Sequence, residues 1–113
     1  MALPETTRHR IEEQLNAYCV RKVRVQYRNQ LRLNYQLQDD SITLFVERKT
    51  FGQTNNWASS PIAQFRYAPE SSSWMIFCAD REGWYPYRHA EPAKDIGALF
   101  HALDTDTTGI FWA

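Results

Sequence analysis

The sequence predicts an α+β domain with an N-terminal helix, a five-stranded antiparallel β-meander, a second helix and a short C-terminal strand. Residues 31–37 alternate between apolar and polar without a break, which is typical of a strand with one dry face. A second alternating stretch, residues 42–47, follows after a short acidic corner. Apolar residues at helical spacing occur on both sides of this region, at 11–19 and 96–103. Together these patterns indicate a sheet that two helices cover on one face.

The size and charge of the chain bound its class. Its 113 residues match one domain, spanning 1–113, that can bury a core without a disulfide or a metal. Because 13 basic residues balance 13 acidic ones, a general phosphate-coating role is disfavoured. Cys19 and Cys78 stand in unrelated contexts, and we expect both thiols to be reduced and packed inside. No signal-peptide pattern and no membrane-length apolar run occurs, so we expect a cytoplasmic protein without a membrane partner.

The first helix is expected to start in the turn that contains Pro4, because proline lacks the N–H that is unpaired there anyway. It should run to about residue 21, with one apolar stripe formed by Ile11, Leu15, Tyr18 and Cys19. The next strand could begin near Val23.

A turn at Asp39 and Asp40 would set the register of the two central strands, since Asp tolerates the left-handed backbone that such turns use. The apolar pairs on one face would then be Leu37 with Ile42, Tyr35 with Leu44, and Leu33 with Val46. On the other face Arg32 would lie opposite Glu47, an attractive cross-strand pair. A slip by one residue would oppose apolar to polar throughout, so the register supports itself.

A second hairpin is predicted after a loop. Residues 50–61 look like the loop, and residues 62–67 and 74–79 look like the two strands. Pairing Tyr67 with Trp74 would put a second apolar group on one face, formed by Ala63, Phe65, Ile76 and Cys78.

Glycine and proline residues predict where the remaining elements begin and end. Gly83 ends a tight corner, as in a turn followed by a bulge, and a fifth strand is predicted over 84–88. Pro86 cannot donate to a ladder, so this strand should lie at an edge. Pro92 is expected to open the second helix, and residues 110–112 read as the short closing strand. The apolar face of this helix would be Ile96, Leu99, Phe100 and Leu103.

Several of these segments together resemble a known family. They are Tyr18-Cys19 at the end of the first helix, Leu44–Arg48, Pro61–Tyr67, Trp74, Trp84–Tyr87 and Asp106–Trp112. The pattern is similar to the bacterial domain-of-unknown-function family numbered 3024, over nearly the whole chain, and its most specific part is the closing motif. The resemblance implies a short, stand-alone bacterial protein with no settled activity, and it carries no catalytic assignment onto these positions.

A metal-dependent nuclease is one candidate, because Glu47 and Lys49 form a Glu-x-Lys triplet. Asp40 and the helical Glu12 and Glu13 could add the converging carboxylates that Mg²⁺ needs. Asp40 and Glu47 are seven positions apart on one strand, however, which at ~3.3 Å per residue is roughly 23 Å. That separation is too large for a shared ion, so a nuclease is only the second alternative.

Cysteine chemistry and metal binding have weaker support. Cys78 and His89 lie close in sequence, but Cys78 falls on the apolar face of its strand, where a buried thiol is inert. His9, His89 and His101 are scattered, without the spacing of a metal site. We therefore expect no catalytic residue, no metal ligand and no cofactor.

Nucleic-acid binding is the first alternative. A basic segment without acids, here called the 21–32 segment, could contact phosphates through Arg21, Lys22, Arg24, Arg28 and Arg32. Aromatic stacking planes could come from Tyr27, Trp84, Tyr85 and Tyr87 if they are exposed. The same cations could equally pair with the acidic second half of the chain.

The sequence favours a small non-enzymatic binding or regulatory module for a protein partner. Its aromatic loop contains Phe51 and Trp57, and aromatic and arginine side chains are favoured anchors at protein interfaces. The oligomeric state stays open at this point.

Overall fold

The computed structural model describes residues 4–23, 25–27, 29–49, 57–80, 82–88, 90–106 and 111. Along the chain it contains helix α1 (Glu5–Lys22), a single 3₁₀ turn (Val25–Tyr27), strands β1 (Leu31–Gln38), β2 (Ser41–Lys49), β3 (Trp57–Ala68), β4 (Ser73–Asp80) and β5 (Gly83–Pro86), and helix α2 (Ile96–Thr105). The strands form one antiparallel sheet in the order β1-β2-β3-β4-β5. The α+β class and the helix–meander–helix order are confirmed.

The hairpin of β1 and β2 has the predicted register. Asp39 adopts a left-handed backbone with φ of 54°. The pairs are Leu37 with Ile42, Tyr35 with Leu44, Leu33 with Val46, and Arg32 with Glu47. The second hairpin is also as predicted, with Tyr67 opposite Trp74.

Strand alternation divides the sheet into two faces. The inner face carries the buried Leu33, Ile42, Leu44, Ala63, Phe65, Trp74, Ile76 and Cys78. The outer face is formed by residues 32, 34, 36 and 38 of β1, 41, 43, 45, 47 and 49 of β2, 57, 59, 61, 64, 66 and 68 of β3, 73, 75, 77 and 79 of β4, and 84 and 86 of β5. Every one of these outer-face residues is exposed or half-buried.

Both helices pack on the inner face through aromatic rings. The ring of Phe100 in α2 stacks on Tyr18 of α1 at 4.4 Å between centroids. The same ring meets Phe65 of β3 at 5.8 Å. Leu15 of α1 and Leu103 of α2 are fully buried beside them. Within the described residues, no helix is both long and apolar enough to cross a bilayer.

Two predicted strand boundaries are wrong. Val23 does not start a strand: helix α1 runs to Lys22, the 3₁₀ turn follows at Val25–Tyr27, and β1 begins only at Leu31. Residues 57–61 are not a loop but the first part of β3, paired with β2. A bulge next to Phe45, where Ile62 is the extra residue, shifts the register between the two parts of that strand.

Pro92 does not open the second helix. Helix α2 begins at Ile96, and Asp95 caps it by accepting a hydrogen bond from the Gly97 N–H at 3.0 Å. The chain before the cap is extended, since Ala93 exchanges backbone hydrogen bonds with Trp74 at 2.7 and 3.0 Å. A capping side chain and an edge pairing therefore decide where the helix starts.

The predictions for the fifth strand and the closing strand are confirmed in part. Strand β5 ends at Pro86 and is an edge strand, as expected for a proline-containing strand, and Gly83 has a positive φ of 134°. Of the predicted closing strand 110–112, only Phe111 lies within the described residues. It is buried, its ring meets Tyr87 at 4.8 Å, and its N–H donates to Asp106 at 3.2 Å.

Phe100 is the residue whose truncation should destabilise the fold most clearly, because its ring joins both helices to the sheet. We expect Phe100→Ala to lower the free energy of unfolding by about 3–5 kcal/mol. Val20→Ala is the control, since Val20 is 58% exposed, and it should stay within about 0.5 kcal/mol of wild type. Urea unfolding followed by circular dichroism measures both, and equal effects for the two variants would contradict this packing.

Candidate functional site

The described cations of the 21–32 segment, Arg21, Lys22 and Arg32, lie at two different places in the fold. Lys22 donates to Asp104 of α2 at 3.0 Å, and Arg21 lies 3.5 Å from the other oxygen of the same carboxylate. Arg24 and Arg28 lie outside the described residues. Arg32 lies on the outer face of the sheet, opposite Glu47. The three described cations of this segment thus contact different parts of the fold.

Asp104 connects the two helices. Besides the two cations it accepts a hydrogen bond from the Tyr18 hydroxyl at 2.9 Å. Burial opposes ionisation of this carboxyl, but the hydrogen bonds from Lys22 and Tyr18 and the nearby charges outweigh it and hold the pKa of Asp104 below its usual value. Burial and the bond to Asp104 also raise the pKa of Tyr18 far above its ordinary range. This cluster stabilises the contact between helices.

On the outer face, Arg32 is held between a ring and a carboxylate. Its guanidinium carbon lies 3.9 Å from the centroid of the Trp57 ring, and its Nε donates to Glu47 at 3.1 Å. The predicted pair of Arg32 and Glu47 is therefore present. Cross-strand pairing places the three residues on neighbouring strands β1, β2 and β3. The Arg32 side chain is still 51% exposed, so the stack is accessible from solvent.

A second arginine on the outer face is held in the same manner. The guanidinium carbon of Arg66 lies 4.0 Å from the centroid of the Phe77 ring on β4. Its Nε donates to the side-chain oxygen of Gln64 at 2.6 Å. Gln64 in turn donates to the Thr43 hydroxyl at 2.9 Å. This chain of contacts crosses β2, β3 and β4 on one face.

Both arginines are oriented by an aromatic ring and an Nε hydrogen bond. Such stacking is worth roughly 0.5–1 kcal/mol at exposed sites, and it holds the guanidinium plane in one orientation. Around the stacks lie the half-buried apolar side chains of Phe45, Met75 and Trp84. The outer face therefore combines apolar area with two oriented, planar hydrogen-bond donors.

The predicted aromatic stacking planes are divided between the two sides of the sheet. Trp84 is on the outer face and half-buried, and Trp57 carries the Arg32 stack. Tyr85 pairs with Cys78, whose side chain faces the core. Tyr87 is buried against Phe111. The rings of Tyr85 and Tyr87 are thus drawn toward the packed interior.

The structure places the carboxylates and thiols that the sequence suggested as catalytic groups in surroundings other than a catalytic site. Glu47 bonds Arg32, and Asp40 lies in the turn before β2 whereas Glu47 lies near the opposite end of that strand. Burial raises the pKa of the Cys78 thiol, and Cys78 is almost fully buried. His89 lies outside the described residues. Among the residues that the structure describes, no group of three or more His, Cys, Asp or Glu could hold a metal ion.

The sequence pointed to Arg32, Glu47 and Trp57 as candidate site residues but not to Arg66 and Phe77. A signal for them was present. The run from Trp74 to Ala79 is apolar at every position, so both faces of β4 carry apolar side chains. A long charged side chain can cover an apolar residue at an outward position of a neighbouring strand, and Arg66 lies over the Phe77 ring in this way.

Comparison with known proteins gives a family match. A family model described as Domain of unknown function (DUF3024) matches residues 3–113. No curated protein and no solved structure matches the chain.

The Asp104 cluster predicts a specific pH dependence. Because the pKa of Asp104 is lowered in the folded state, its stabilising effect is present above the unfolded pKa of about 4 and is lost as pH falls through the folded value. Asp104→Asn should therefore cost about 1 kcal/mol near neutral pH, and the difference from wild type should shrink below pH about 4. Urea unfolding across pH measures this difference. Glu91→Gln, an exposed control, should show no such trend, and a constant penalty for Asp104→Asn would contradict the assignment.

The stack of Arg32 on Trp57 should appear as a coupling energy. In a double-mutant cycle, the unfolding free energy lost by the double variant Arg32→Ala/Trp57→Ala should differ from the sum of the two single losses by about 0.5–1 kcal/mol. Pairing Trp57→Ala with Arg8→Ala, which lies on α1, should give no coupling. Additive losses in the first cycle would show that the two side chains do not interact in solution.

Proposed function

The chain belongs to the family of the domain of unknown function DUF3024, and we propose that it is a small, non-enzymatic binding module that recognises a protein partner through the outer face of its sheet. The observation that carries this proposal is the pair of oriented arginine–aromatic stacks on that face, Arg32 on Trp57 and Arg66 on Phe77. Tryptophan and arginine are enriched among the residues that dominate protein binding energies.

The division between the two faces supports this proposal. Side chains of the inner face are packed under both helices, whereas the described outer-face residues all keep contact with solvent. Outer-face apolar side chains such as Phe45 and Phe77 lie next to amides and hydroxyls such as Gln64 and Thr43. A mixture of aromatic area and satisfied polar groups is the composition expected of a protein interface core.

Charge favours a protein over a nucleic acid as the partner. Arg21 and Lys22 meet the carboxylate of Asp104, and Arg32 meets that of Glu47. Each of these cations would have to give up an internal partner before contacting a phosphate. The chain has no net charge, and a nucleic-acid surface normally needs an excess of uncommitted cations.

The positions of the acids favour binding over nuclease chemistry. Asp95 caps α2 and accepts a hydrogen bond from Gln14 at 3.0 Å, Asp104 joins the helices, and Glu47 fixes Arg32. These carboxylates stabilise separate parts of the fold, whereas a metal-dependent nuclease needs its carboxylates to converge on one or two metal ions.

We infer that the protein acts in the cytoplasm. Cys19 and Cys78 are both thiols without a disulfide, a state that a reducing compartment maintains.

Removal of the Trp57 ring should abolish partner binding without unfolding the domain. In affinity capture from cells that encode the protein, Trp57→Ala should lose proteins that wild type retains, typically with a loss of 2 kcal/mol or more, about thirtyfold. Arg8→Ala, on the helical side of the molecule, should retain them. Circular dichroism and unfolding midpoints establish that the variants are folded.

Treatment with nuclease separates the alternatives in the same experiment. Proteins retained after nuclease treatment by wild type and by Arg8→Ala, but not by Trp57→Ala, support the proposal. Retention that nuclease abolishes would support nucleic-acid binding instead, and equal capture by Trp57→Ala would remove the outer face from consideration.

A further inference from the structure

We propose that Arg66 is the anion receptor of the outer face and binds the carboxylate of an Asp or Glu in an extended segment of the protein partner. This inference rests on the proposed function, because it names the chemistry of the partner for the same surface. It is carried by a difference between two arginines that are otherwise held alike.

The difference lies in what each Nε contacts. The Nε of Arg32 donates to a carboxylate, that of Glu47, at 3.1 Å, so the pair carries no net charge. The Nε of Arg66 donates to a neutral amide, that of Gln64, at 2.6 Å. Within the described part of the chain, no carboxylate lies within ion-pair distance, 4.0 Å, of Arg66. Arg66 therefore keeps its full positive charge.

Arg66 is also held in place before any partner arrives. The Gln64 amide can present its oxygen to Arg66 because its nitrogen donates to the Thr43 hydroxyl at 2.9 Å, which fixes which end of the amide points where. The Phe77 ring supports the guanidinium plane at 4.0 Å. A long side chain that is already ordered loses less entropy on binding, so more of the contact energy contributes to affinity.

The remaining donors of Arg66 suit a carboxylate. Its internal hydrogen bond uses Nε, and within the described residues neither terminal nitrogen of Arg66 has a hydrogen-bond partner. Two parallel N–H donors match the two oxygens of a carboxylate, and such charge-assisted bonds are roughly twice as strong as neutral ones. Arg66 is exposed, so a partner side chain can reach this fork.

A single carboxylate fits this surface better than a chain of phosphates. The cross-strand neighbours of Arg66 on the outer face, Ser41 and Met75, are uncharged. Arg32 lies two strands across and six positions along, roughly 22 Å away at the usual strand spacings, and it is already neutralised. A nucleic acid would present phosphates at every nucleotide along this distance, whereas the third described cation of the outer face, Lys49, lies beyond Arg32 at the far end of β2. An extended peptide would instead place an acid on Arg66 and an apolar residue on Met75.

The test uses a random dodecapeptide display library, selected on immobilised wild-type protein. Selected peptides should share an Asp or Glu, and changing it to Asn or Gln should weaken binding about tenfold. Arg66→Gln should cause the same loss, and the two losses should not add, since each removes the same contact. Arg8→Gln removes the same charge from α1 and should bind as wild type does.

A positioning variant separates orientation from charge. Thr43→Val keeps the charge of Arg66 but removes the hydroxyl that orients Gln64. The preference of this variant for the acidic peptide over its amide counterpart should therefore be smaller than that of wild type but larger than that of Arg66→Gln. Unfolding midpoints equal to that of wild type show that Arg66→Gln and Thr43→Val are folded.

Several outcomes would overturn the inference. These are selection of no peptide, selection of peptides without an acid, or an acid whose contribution Arg66→Gln leaves unchanged. Binding of a deoxythymidine octamer that is steeply salt-dependent and lost in Arg66→Gln would assign the site to phosphate instead. If Arg66→Gln still captures the partner that Trp57→Ala loses, the proposed function stands and the carboxylate inference falls.

Discussion

The register between β1 and β2 is the constraint on which the rest of the structure depends. Side chains alternate along a strand, so a slip by one residue would turn Leu33 outward and Arg32 into the core. Asp39, in a left-handed conformation, closes the hairpin so that this slip does not occur. Strand β3 pairs with β2, β4 with β3 and β5 with β4, so each later strand inherits the same two faces.

Those two faces carry different tasks. The inner face accepts both helices, which are joined to each other by the Tyr18–Phe100 stack and by Asp104, so the helical layer acts as one unit. The outer face is left to side chains that reach across the strands. There the apolar rings are covered by arginine, and the arginines are in turn oriented by the rings. A surface of this kind is partly ordered before a partner arrives, which is the physical basis for assigning it a binding function.

The sequence predicts those parts of the fold that depend on local alternation. The Arg32–Glu47 pair and the buried face of α2 follow from spacing alone. The start of β3 could not be predicted, because its first residues, including Ser59 and Ser60, have little strand preference and are held by pairing with β2 beyond a bulge. The start of α2 depends on the Asp95 cap and on the pairing of Ala93, which are tertiary contacts. Arg66 was missed for a related reason, since its partners Gln64 and Phe77 come together only once β3 and β4 are in register.

The division of the sheet into two faces can be tested by NMR on the labelled protein, as the accessibility of each face to a soluble paramagnetic reagent. We expect strong relaxation at Thr43, Phe77 and the Arg66 Nε–H, and little at Ile42, Leu44 and Phe65, in alternation along the strands. The reverse pattern along β2 would contradict the register. Protection of Phe77 and Arg66 equal to that of Phe65 would show that the outer face is covered, and the binding surface proposed for it would not exist.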